Sequence, residues 1–139
     1  MLGSGYASEM NEPRLPLLLA AIAGFTAVAI GAFGAHGLKE RLSADLLAIF
    51  EVGVRYHAYH ALALLALAAF GHRLGRAGTV AAWCFFVGIV IFGGTLYALA
   101  LTGQRWLGAV TPIGGLCFLA GWGALGVAAV RSAPPRERG

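Results

Sequence analysis

Thr79-Val-Ala-Ala-Trp-Cys-Phe-Phe-Val-Gly-Ile-Val-Ile-Phe-Gly-Gly-Thr-Leu-Tyr-Ala-Leu-Ala-Leu101 contains no charged residue. A helix needs roughly 20 predominantly apolar residues to cross the hydrocarbon core of a bilayer, and this stretch supplies them. In water such a segment would have to be coated by polar sequence, and the chain has little to offer. Of its 139 residues 59% are hydrophobic and 12% charged. Soluble domains carry about a quarter charged residues. The mean hydropathy is +0.78. The length suits one domain, and the solvent of that domain is lipid.

Working outward, three further apolar segments flank this one. Residues 15–35 form a first span. A cleaved signal peptide is disfavoured there, because the run exceeds a typical h-region and no basic n-region precedes it. A second span covers about residues 54–71 and contains His57 and His60. The fourth follows a turn at residues 102–105 and begins at Thr111-Pro112. Threonine suits an N-cap, and proline suits the first helical position, where its missing N–H costs nothing.

Between the first and second spans, Leu38, Leu42, Leu46 and Phe50 recur every fourth residue, with Lys39, Glu40, Arg41 and Asp45 between them. This pattern predicts an amphipathic helix lying in the membrane interface. The expected fold is therefore all-α. It is an integral membrane protein with an antiparallel four-transmembrane-helix bundle over residues 15–130 and an interfacial helix between helices 1 and 2. Residues 1–14 and 131–139 read as a flexible tail and a disordered charged tail.

The net charge of +4 does not indicate nucleic acid, because no basic stripe is interleaved with aromatics. The basic residues sit in turns and tails. With four spans, Arg14, Arg73, Arg76, Arg131, Arg136 and Arg138 share one side, and Lys39, Arg41, Arg55 and Arg105 share the other. This asymmetry predicts both termini on the cytoplasmic side of a cell or inner membrane. Trp83 and Trp106 suit an aromatic belt, and Trp122, placed deeper, suits packing. Cys84 and Cys117 fall about 12 Å apart in depth on antiparallel helices, too far for a disulfide.

Gly24, Ala27, Gly31, Gly34 and Ala35 form a small-residue stripe on the first helix. Gly93-Gly94 and Gly114-Gly115 offer the same close approach on the third and fourth helices. Without a hydrophobic drive between helices in lipid, such residues carry helix–helix contact.

The polar side chains are gathered toward one end. His36, Tyr56, His60, Tyr97 and Thr111 all fall within about 10 Å of one membrane face at ~1.5 Å per residue. They form a candidate polar cluster. Each has a plain reading too. Tyrosine and histidine near an interface serve as anchors, and Glu51 with Arg55 is the favourable i, i+4 ion-pair order. His57, about 60° round the helix from His60, can face headgroups. His36 with His60 is the pair that would ligate haem from two helices, but no C-x-x-C-H is present and no metal motif forms. The Thr111-Pro112 helix start would offer N–H groups to an anion. No nucleophile elbow, zinc-protease or phosphate-loop pattern occurs, so no enzyme and no cofactor is expected.

Gly31-Ala-Phe-Gly-Ala-His-Gly-Leu-Lys39, Tyr56-His-Ala-Tyr-His-Ala-Leu-Ala-Leu-Leu65, Phe92-Gly-Gly-Thr-Leu-Tyr97, Thr111-Pro-Ile-Gly-Gly115 and Gly121-Trp122 together resemble the transmembrane protein 256-like family, small membrane proteins classed as a domain of unknown function. The resemblance runs in order from the first span to Trp122. It implies four membrane helices and no defined activity. His57 stands where the family often has glutamine, and Gly93 where it often has serine, so the pattern does not call for His57 as a ligand.

The leading expectation is a non-enzymatic accessory or interaction protein whose small-residue faces meet other membrane proteins or a second copy. Two alternatives stay open. One is a carrier of a small solute, lipid or proton using the polar cluster, and the other a redox subunit binding haem or quinone.

Overall fold

The computed structural model describes residues 14–131. The two tails expected at residues 1–14 and 131–139 lie outside this range, except that Arg14 and Arg131 are helical. Helix α1 covers Arg14–Leu38, with its last turn, Gly34–Leu38, widened to π geometry. Helix α2 covers Ala44–Phe70. Helix α3 covers Arg76–Thr102 and holds a π turn at Ile89–Gly93. Helix α4 covers Thr111–Arg131 and is entered from a short 3-10 turn, Arg105–Ala109.

Local chemistry sets the ends. Ser43 is extended, and its Oγ accepts from the Leu46 N–H at 3.4 Å, which caps α2. Gly103 takes φ 71° after Thr102, and its N–H closes onto the Leu99 carbonyl, so α3 stops in a left-handed cap that glycine tolerates. The separate interfacial helix expected over residues 38–50 does not form. Residues 39–42 are turn, and residues 44–50 are the opening turns of α2 itself. The four-residue apolar period is real, but its inward members pack as core. Leu38 and Phe50 are buried together with Ala100.

α1, α3 and the helical segment ending in α4 are long and apolar enough to cross a membrane. α2 is equally long at 27 residues, but Arg55, His57 and His60 dilute its apolar character. Contact order shows that neighbours run antiparallel. Along α1 and α2, Gly34 faces Phe50, Gly31 faces Val54 and Thr26 faces His57. Along α3 and α4, Thr95 meets Thr111, Phe92 meets Gly114, Gly88 meets Phe118 and Phe85 meets Gly121. α2 also packs on α3 through Gly53–Tyr97, Tyr56–Phe92 and His60–Phe85.

The core is apolar and so is the outside. Leu64, Ala81, Ala82 and Phe85 are fully buried. Phe25 and Val130 face outward at 77% and 78% exposure. A protein with apolar residues on both sides of its helices is built for a bilayer.

Small residues decide where backbones approach. A Cβ on Gly114 would fall 2.8 Å from the Phe92 Cα, and one on Gly121 would fall 2.6 Å from the Phe85 ring. Gly34 is equally tight, 2.6 Å from Phe50, and Gly31 sits 3.2 Å from Val54. The glycine doublets split. Gly94 and Gly115 meet nothing within 4 Å, and Gly93 meets only Tyr97 of its own helix, at 3.3 Å. Adjacent residues on a helix point ~100° apart, so one member at most faces a given partner. Gly53 and Gly88, absent from the expected set, make close contacts with Tyr97 and Phe118.

Gly114→Val should therefore destabilise the bundle by about 1–3 kcal/mol, the usual cost of overpacking. Gly115→Val should stay within about 0.5 kcal/mol of the parent. Thermal unfolding in detergent micelles checks the contrast between neighbours.

Candidate functional site

The polar cluster resolves into separate nodes. On the α1 and α3 side of α2, His57 is buried at 5% exposure. Its Nε2 lies 3.2 Å from Thr26 Oγ1 of α1, and its Nδ1 lies 3.1 Å from the Tyr97 hydroxyl of α3. Thr26 also donates to the Ile22 carbonyl at 2.8 Å. With the Thr26 hydrogen given to Ile22, His57 donates from Nε2 and accepts at Nδ1 from Tyr97; hydroxyl partners on both nitrogens also accommodate the reverse. The chain from Tyr97 through His57 and Thr26 to backbone ties three helices.

His60 lies one turn further along α2, facing α4. Its Nδ1 donates to the Tyr56 carbonyl at 2.8 Å, and its Nε2 accepts from Trp122 Nε1–H at 3.3 Å. The carbonyl can only accept and the indole can only donate, so this imidazole carries its hydrogen on Nδ1. Its ring stacks on Phe118 at 3.5 Å and 6°. Tyr56, half exposed, lies over Phe92 with centroids 5.0 Å apart. A groove of about 660 Å³ opens between α2 and α4 over Tyr56, His60, Phe92, Phe118 and Trp122. Lone pairs and N–H groups of both histidines are committed inside the bundle.

The remaining members stand elsewhere. Thr95 Oγ1 donates to the Ile91 carbonyl at 2.7 Å, Thr111 Oγ1 donates to the Leu107 carbonyl at 3.2 Å, and the two hydroxyl oxygens lie 2.9 Å apart. Thr111 is thus buried and faces α3 rather than capping its own helix. The 3-10 turn feeds directly into α4, with the Ile113 N–H closing on Val110 at 3.0 Å. One N–H of the expected helix start is thereby used within the chain. His36 is exposed in the last turn of α1. Its pairing with His60 as haem ligands has no basis in the geometry, because both His60 nitrogens are occupied. Among the described residues no group of three His, Cys, Asp or Glu side chains gathers as a metal site. Glu51 and Arg55 are both exposed on α2. Cys84 and Cys117 are free and half-buried.

His57 is the main correction. It faces neighbouring helices rather than headgroups. Thr26 carries no signal in the sequence, because it sits inside the small-residue stripe of α1, where a lone hydroxyl between Gly24 and Ala27 reads as one more small side chain. Trp122 packs, as expected, and also supplies the hydrogen bond to His60. Every buried side-chain nitrogen and oxygen among the described residues has a partner.

Replacing His57 by leucine should destabilise the bundle by about 1–2 kcal/mol, since Thr26 and Tyr97 lose their shared partner in a low-dielectric interior. His57→Gln should recover most of that loss, because an amide can donate to Thr26 and accept from Tyr97 at once. Denaturation midpoints of the two variants in one detergent decide it.

Comparison with known proteins adds the family. A family model described as "Protein of unknown function (DUF423)" matches residues 30–115. That span holds His57, His60, Tyr97 and Thr111, but neither Thr26 nor Trp122. The chain is 44% identical over 117 residues to the UPF0382 membrane protein YwdK of Bacillus subtilis (strain 168), covering 83% of this chain and 95% of that one. It is 41% identical over 124 residues to the UPF0382 inner membrane protein YgdD of Escherichia coli (strain K12), covering 85% and 91% respectively. No solved structure matches it. With nearly all of each relative covered and the family's model matching more than half of the chain, this chain belongs to the DUF423 family of membrane proteins of unknown function.

Proposed function

We propose that this chain is a four-pass, non-catalytic accessory protein of the membrane. In this reading both termini lie on the cytoplasmic side, and the outward helix faces receive another membrane protein. The observation that carries it is the closure of the polar interior. His57, His60, Tyr97, Thr95 and Thr111 all bond within the bundle. An enzyme or proton carrier holds a reactive group ready for substrate or water. Here the polar groups serve as glue between helices, which is how hydroxyl and imidazole side chains act in lipid.

The fourth crossing is assigned to α2. It packs antiparallel to α1 and α3 along its length, and its histidines turn inward, so its lower apolar content reflects polar contacts hidden from lipid. Both termini then share a side with the turn carrying Arg73 and Arg76, and the basic excess there supports a cytoplasmic placement.

The receiving face is assigned to the outer side of α1 and α2. A shallow groove of about 370 Å³ runs there, lined by Ala21, Gly24, Val28, Leu62 and Leu65 among others. Gly24 meets nothing within 4 Å. It is thus a small residue with no internal packing task, and small residues on an outer face let a second helix come close.

The test is co-purification from native membranes in mild detergent, comparing the parent chain with Gly24→Leu. The parent should retain a membrane partner, and Gly24→Leu should lose it at unchanged thermal stability. A parent chain that is always isolated alone and monomeric contradicts the reading.

A further inference from the structure

A separate cavity of about 480 Å³ lies away from the histidines, at the end of the bundle where the α1–α2 turn meets the α3–α4 turn. Its mouth carries Ser43 and Asp45 from the start of α2 and Arg105 from the turn before α4. Leu46, Ile49 and Leu99 line it deeper in the bundle. The polar end therefore points out of the bundle and the apolar end points along it. Asp45 to Ile49 is one helical turn, about 6 Å of depth. A ligand that fills this shape has a polar head and an apolar body, oriented as a lipid of that leaflet is oriented.

The charges narrow the head. Asp45 and Arg105 are both exposed and border one cavity. One acid and one base on the same rim match a head that carries one cation and one anion. Asp45 also complements the N-terminus of α2, but that contact engages the helix dipole and leaves its outward carboxylate oxygens free to accept. Ser43 Oγ accepts from the Leu46 N–H, which leaves its own hydrogen free to donate outward.

We propose that this cavity binds the phosphoethanolamine head of a membrane lipid. Arg105 and Ser43 donate to the phosphate, the primary ammonium donates to Asp45, and one acyl chain lies on Leu46, Ile49 and Leu99. Phosphocholine fits less well because its quaternary ammonium has no N–H to give Asp45. Phosphoglycerol fits less well because it brings no cation and its phosphate meets the Asp45 charge. The site does not depend on the presence of a protein partner at the α1–α2 groove.

The experiment is native mass spectrometry of the full chain released from nanodiscs holding equal amounts of phosphatidylethanolamine, phosphatidylcholine and phosphatidylglycerol. The parent should retain phosphatidylethanolamine over each of the others by about fivefold, the scale of an exposed charge pair. Asp45→Asn should remove the preference over phosphatidylglycerol, and Arg105→Gln should lower retention of all three. Both side chains are exposed, and thermal melts confirm that each variant remains folded. Soluble glycerophosphoethanolamine at equal concentration should leave the lipid in place, because it lacks the chain that packs on Leu46, Ile49 and Leu99. Equal retention of the three lipids by the parent overturns the proposal, whatever the variants do. Displacement by the soluble head overturns the assignment to a lipid.

Discussion

The bundle depends on α2 keeping two imidazoles satisfied on two of its sides at once. His57 links Thr26 of α1 to Tyr97 of α3, and His60 links its own backbone to Trp122 of α4. In lipid, apolar side chains gain little from leaving other apolar surroundings, so helix association relies on packing and on such polar links. An imidazole left without partners in hydrocarbon would cost several kcal/mol. Here each ring nitrogen has a partner, and at His60 the partners' chemistry fixes which nitrogen carries the hydrogen. The two rings therefore act as spacers that set helix azimuth as well as contact.

Close backbone approach supplies the second constraint. Gly88, Gly114 and Gly121 let α3 and α4 interlock with Phe118, Phe92 and Phe85. Phe118 is also the ring on which His60 stacks. The polar link and the glycine contacts thus share residues, and a shift in one moves the other. This coupling explains how a bundle with so few hydrogen-bonding side chains can hold one arrangement. It also leaves the outer faces, where Gly24, Gly94 and Gly115 meet nothing, free of internal duties.

Much of the fold was legible in the chain because length and apolar character are one-dimensional signals. The uncharged run ending at Leu101 falls within α3, and the turn glycines mark where helices stop. Azimuth was harder to read. Depth placed His36, His60, Tyr97 and Thr111 near one face, but side chains at equal depth can point in opposite directions round a bundle. Tyr97 turned to His57, Thr111 to Thr95, and His36 outward. His57 and His60 differ by about 60° on the helix, and a central helix with neighbours on several sides buries both. A single sequence carries no mark that α2 is that central helix. Thr26 was hidden for a related reason, since only its partner on another helix makes its hydroxyl matter.

Nitrogen NMR of imidazole-labelled protein in bilayers reads this account at its centre. It predicts two neutral rings, with hydrogen on Nδ1 of His60. A charged imidazolium at either position, hydrogen on Nε2 of His60, or averaging between tautomers would contradict a closed polar interior.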